Sequence, residues 1–111
     1  MIVVRVRLDG EGVLSSFEVT GHAAIDGGVG QSVVCAAVTG IVRACADAVA
    51  SNAAVGAVGA ASRPGELVVN VTGESEDGST WLQGVTDVLL GGVGRIARDA
   101  PDEVELIVDR E

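Results

Sequence analysis

Lysine and tyrosine are absent from this chain of 111 residues, and phenylalanine and tryptophan occur once each. An aromatic platform on which bases could stack is therefore missing. All seven basic residues are scattered arginines set against sixteen carboxylates, for a formal net charge of −9. That balance leaves no basic patch to neutralise phosphates, which argues against nucleic acid, and none to meet an anionic membrane surface. It favours basic partners instead. Long hydrophobic runs are also lacking, and no apolar stretch reads as a membrane span. The first ten residues, MIVVRVRLDG, alternate arginine with apolar side chains, the pattern of a strand and not of a signal peptide. Without an export signal the reducing cytoplasm is the expected compartment, and the two cysteines read as thiols. One histidine and two cysteines, none at ligand spacing, make no metal set. Gly27-Gly28-Val29-Gly30 lacks the Lys and Ser/Thr of a phosphate loop. No metal or cofactor is expected.

Valine and alanine dominate what is present, and hydrophobic residues make up 48% of the chain, enough for the core of one domain over residues 1–111. Ile2, Val4, Val6 and Leu8 alternate with Val3, Arg5 and Arg7, and a second alternation runs from Val13 to Thr20. The turn Asp9-Gly10-Glu11-Gly12 joins the two as a hairpin. Residues 21–31 read as a mobile glycine-rich loop, Ser32 as an N-cap, and residues 33–54 as a helix that Gly56 and Gly59 terminate. Arg63-Pro64-Gly65 predicts a turn, and Leu67, Val69 and Val71 a third strand. A polar connection from Glu74 to Thr80 precedes a helix built on Trp81, Val85, Val88, Leu89, Val93 and Ile96. Gly91, Gly92 and Gly94 each weaken this helix by roughly 1 kcal/mol relative to alanine; close packing on a neighbour is one reason to keep them. Val104, Leu106 and Val108 mark a last strand. The expected fold is α+β, a single-layer-plus-helices α/β sandwich of order β-β-α-β-α-β. The first helix carries only Arg43 and Asp47 as charges and is apolar on more than one side. It therefore suits contact with the sheet, the second helix and a partner chain.

Chemistry concentrates between His22, the only histidine, and Cys35, thirteen residues later. If Ser32 caps the helix, Cys35 is its third residue, where the helix dipole and unpaired amides favour a thiolate. A histidine delivered by the adjoining loop completes a Cys–His nucleophile, and the amide of Ala36 suits an oxyanion hole. The bland alternative is that both cysteines are core, which is how Cys45 reads. Asp99, Asp102, Glu103, Glu105, Asp109 and Glu111 crowd the C-terminus as a solvated helix end and strand face.

The stretch from Gly21 to Thr39, GHAAIDGGVGQSVVCAAVT, resembles the signature of the ribosomal-processing cysteine proteases, called Prp. In that family Gly-His-Ala, a short glycine-containing loop and Asp-x-Val-Cys-Ala-Ala-Val-Ser follow one another. The resemblance implies a cysteine endopeptidase, usually a homodimer, with His22 and Cys35 as its catalytic pair. Its implied substrate is the N-terminal extension of large-subunit ribosomal protein number twenty-seven, a basic protein, as the acidic charge suits. Gly21, Ser32, Ala36 and Thr39 then support the pair, and Gly27, Gly28 and Gly30 belong to a loop that moves when substrate binds. Two positions depart from the family pattern. Ser32 replaces an aspartate, keeping a cap but losing a carboxylate able to orient His22, and Thr39 replaces a serine. The rival expectation is a ribosome-associated binding or regulatory dimer that uses the same groove without turnover.

Overall fold

A computed structural model describes residues 1–21, 33–60 and 66–111. Five strands, β1 (Ile2–Leu8), β2 (Leu14–Thr20), β3 (Val55–Ala60), β4 (Leu67–Glu74) and β5 (Val104–Arg110), form one mixed sheet of order β3-β4-β2-β1-β5. Two helices, α1 (Val33–Ser51) and α2 (Glu76–Asp99), complete the α+β domain. The expected elements occur in the expected order, with one strand more: β3 lies between α1 and β4.

The alternation in β1 places Ile2, Val4, Val6 and Leu8 in the core, each 2% exposed or less. Cross-strand register puts Val6 beside Phe17 and Val4 beside Val19, so the hairpin presents one continuous apolar face. Its turn is held by Asp9, whose carboxylate accepts from the amides of Glu11 and Val13 at 2.9 and 3.0 Å. Onto that face pack Val38, Val42 and Val49 of α1 and Leu82, Leu89 and Val93 of α2. The opposite face is polar, and there Arg5 pairs with Asp109 at 2.9 Å and with Glu18 at 3.9 Å. Thr86 is the buried polar side chain of α2; it donates to the Leu82 carbonyl at 2.7 Å and accepts from the Leu14 amide at 3.0 Å. That second bond pins the start of β2 to the helix layer and leaves no unmet polar atom on the threonine.

Three sequence expectations change. The first helix ends at Ser51, not near residue 54, because Asn52 turns the chain: its carbonyl accepts from Val55 and its side chain from Ala54. Gly56 and Gly59 are therefore not helix terminators but members of β3. The second helix starts at Glu76, inside the expected polar connection, because Ser75 is its N-cap and accepts from the Gly78 amide at 3.1 Å. A Cβ at Gly78 would collide with the Ala54 carbonyl, so glycine lets the first turn of α2 lie on the α1–β3 connection. The third change concerns length: α1, at 19 residues and mean hydropathy 1.8, is long and apolar enough to cross a membrane. Here it is a layer of the domain, with Cys35, Val38, Val42, Cys45 and Val49 buried. Of the glycines in α2, Gly92 approaches Ile41 of α1, where an added Cβ would stand 3.0 Å from its Cδ1. Gly91 faces open space, and nothing in the structure explains it.

Candidate active site

Strand directions determine where the chemistry collects. Both β2 and β3 run antiparallel to β4, so β2 and β3 point the same way and finish at the same end of the sheet. Three residues separate the C-terminus of α1 from the start of β3, so α1 runs antiparallel to both strands. Its first turn therefore starts at the end where β2 finishes. Cys35 is the third residue of α1, and Gly21 directly follows the last residue of β2. One end of the domain thus holds the residue before His22 and the turn that carries Cys35.

Gly21 is conformationally required. Its φ is +84°, in the left-handed region, and a Cβ there would collide with the Met1 carbonyl oxygen. Any other L-residue would be strained twice, by backbone conformation and by overlap with main chain. The glycine follows β2 directly and precedes the histidine in sequence.

Cys35 is 9% exposed and contributes to the core cluster. Ala36 follows it in the first turn and is exposed to solvent. Thr39, half-buried, donates its hydroxyl to the Cys35 carbonyl at 2.7 Å. The threonine thus acts on the backbone of the Cys35 turn, a role that a serine hydroxyl fills equally. His22, Ser32, Gly27, Gly28 and Gly30, and with them the loop expected to move, lie outside the described residues. Cys45 is 6% exposed in mid-helix, and burial pushes its thiol up. It stays protonated and apolar in character at neutral pH, as a core cysteine does.

Between the two helices lies a groove of about 630 Å³, lined by Ile41, Ala44 and Cys45 of α1 and Trp81, Val85 and Val88 of α2, among others. Val88 is 64% exposed and Trp81 36%. Sequence periodicity counted both toward the core of the second helix, and the groove shows them on its rim.

The family model described as Cysteine protease Prp matches residues 1–105. No curated protein matches the chain. Among solved structures, SMU.848 from Streptococcus mutans superposes with a TM-score of 0.78 at 24% identity, covering 100% of this chain and 96% of that one. The ribosomal processing protease Prp from S. aureus, in complex with a substrate peptide, gives 0.77 at 16% identity and covers 98% of this chain and 100% of its own. The same protease with a covalently linked product peptide gives 0.74 at 19% identity, with the same coverage. At such identities the likeness is one of fold.

Proposed function

The chain belongs to the cysteine protease Prp family, and from that premise we propose that it is a cytoplasmic thiol endopeptidase that trims the N-terminal extension of a basic large-subunit ribosomal protein, number twenty-seven. The observation that carries this reading is the place of Cys35, in the first turn of α1 at the end of the sheet where β2 delivers Gly21 and then His22. His22 takes the thiol proton as Cys35 Sγ attacks the scissile carbonyl carbon. The carbonyl oxygen becomes an oxyanion, held by helix-start amides such as that of Ala36. The tetrahedral adduct collapses as His22 protonates the leaving amine, which departs with the mature protein. Water, deprotonated by His22, then attacks the thioester, and the thiol re-forms as the acid product leaves. Ser32 supports this arrangement as the cap of α1, and no metal or cofactor enters any step.

A homodimer joined through the apolar groove between α1 and α2 belongs to the same reading. An acidic chain is best joined to its copy where like charges are absent, and the groove residues are uncharged. One observation favours the rival, a non-catalytic binding dimer: Cys35 is nearly as buried as Cys45. The deciding experiment incubates the protein with the extended ribosomal protein and measures product masses. A single cut, lost in Cys35→Ala, supports the protease. Unaltered substrate that nevertheless co-elutes with the protein supports the binding dimer.

A further inference from the structure

The two outer strands of the sheet differ in a way that bears on how a peptide reaches Cys35. At one edge, β5 carries Glu105, Asp109 and Arg110, and charge is a common guard against unwanted strand pairing. At the other, β3 reads VGAVGA, with no charge, no proline and no side chain larger than valine. Among the described residues β3 pairs only with β4, so its outer backbone groups form an unpaired row. A bulge between Gly56 and Ala57 interrupts the register, but it sits at the start of the strand. From Ala57 to Ala60, nearer the Cys35 end, the edge is regular.

The position of α1 adds a second, independent constraint. This helix packs over β3 and runs against it. Cys35 lies sixteen residues before the end of α1, about 24 Å along its axis, whereas β3 covers about 17 Å from Val55 to Ala60. Cys35 thus stands beyond the C-terminal end of β3 by about two or three extended residues. A peptide lying along β3 points its next few residues at the nucleophile.

We propose that the edge of β3 over Ala57–Ala60 is the docking strand for the substrate, which adds to the sheet as a sixth strand and so carries its scissile bond to Cys35. The inference rests on the protease reading above. It assigns recognition chiefly to main-chain hydrogen bonds, with little demand on side chains beside Gly59. The occupant is an extended peptide and not a second copy of the chain, because the regular part of the edge lies under the helix that carries the nucleophile and leads toward it.

The test uses wild-type protein and a synthetic peptide spanning the junction between extension and mature ribosomal protein. In one arm the scissile amide is reduced to an uncleavable amine, and hydrogen exchange is followed amide by amide. Outward-facing amides of β3 should slow when the peptide binds. In the other arm the cleavable peptide is N-methylated at one position at a time. Alternate positions should raise KM by about two- to tenfold for each hydrogen bond lost, with kcat nearly unchanged. Efficient cleavage with unchanged β3 exchange and no two-residue period overturns the docking strand and leaves the protease standing. Exchange already slowed in free protein, in proportion to protein concentration, assigns the edge to a second copy and likewise overturns it. If the wild type neither binds nor cuts the peptide, the protease reading fails, and the docking strand with it.

Discussion

Cys35 and Cys45 lie on the same helix and differ little in exposure, at 9% and 6%. Cys45 sits in mid-helix, where the backbone amides around it are spent on the helix itself, and it faces the layer between α1 and α2. Cys35 sits in the first turn, at the end of the domain where β2 stops. Burial alone does not separate a reactive thiol from a structural one. What differs between the two is their place on α1: Cys35 is its third residue and Cys45 lies in its middle.

The largest expected effect breaks this comparison outright. Cys35→Ala should abolish cleavage, measured as product mass over a full day, while circular dichroism stays native. Its stability cost should be on the order of 1 kcal/mol, the scale of deleting one buried group. Loss of fold instead would place Cys35 with Cys45 as a core residue. Next in size is Gly21→Ala, which meets both a positive φ and the Met1 carbonyl. It should cost about 1–2 kcal/mol from backbone conformation alone and lower kcat more than it raises KM, because the chain leaves β2 at the wrong angle to deliver His22. A variant with unchanged kcat would separate the turn from the chemistry.

Cys45→Ser sharpens the comparison from the other side. A hydroxyl in place of a buried thiol should lower stability by about 1–3 kcal/mol in denaturant unfolding, with kcat retained. The pH dependence has a definite sign. Because burial raises the Cys45 thiol in the folded state, the fold holds its proton longer than the unfolded chain does. This contribution to stability is intact below the unfolded thiol's pKa of about 8.5 and is lost as pH rises above it toward the folded value. Iodoacetamide at neutral pH should accordingly label Cys35 well before Cys45, read by peptide mass. Equal, slow labelling would support the binding dimer. The smallest effect concerns salt: if the substrate is basic as proposed, raising ionic strength should lower kcat/KM modestly, by screening its attraction to this acidic chain.

Large side chains in strict alternation made β1, β2 and β5 legible in the sequence. The strand β3 was not legible, because VGAVGA has neither a two-residue nor a helical period in residue size, and its glycines resemble the end of the preceding helix. Pairing with β4, a contact distant from local pattern, makes it a strand. The first turn of α2 was missed because residues 74–80 read as a polar connection; Ser75 caps the helix there, and Gly78 lets its first turn lie against the Ala54 carbonyl. At the site, Gly21 and Cys35 were identifiable from the motif around them, with Thr39 close by. That β2, β3 and the start of α1 meet at one end follows from strand directions, which no single segment encodes.

The contact between Met1 and Gly21 has a practical side. Since β1 starts where β2 finishes, anything fused ahead of Met1 emerges at the end of the domain that holds Cys35, tethered there at high local concentration. Under the protease reading, such a tag would compete with the peptide for the end of the domain that holds Cys35. Glu111 lies at the far end of the sheet, where its amide donates to the Leu8 carbonyl at 3.0 Å. Affinity handles, dyes and surface attachments therefore belong there, where the whole length of the sheet separates them from the Cys35 end.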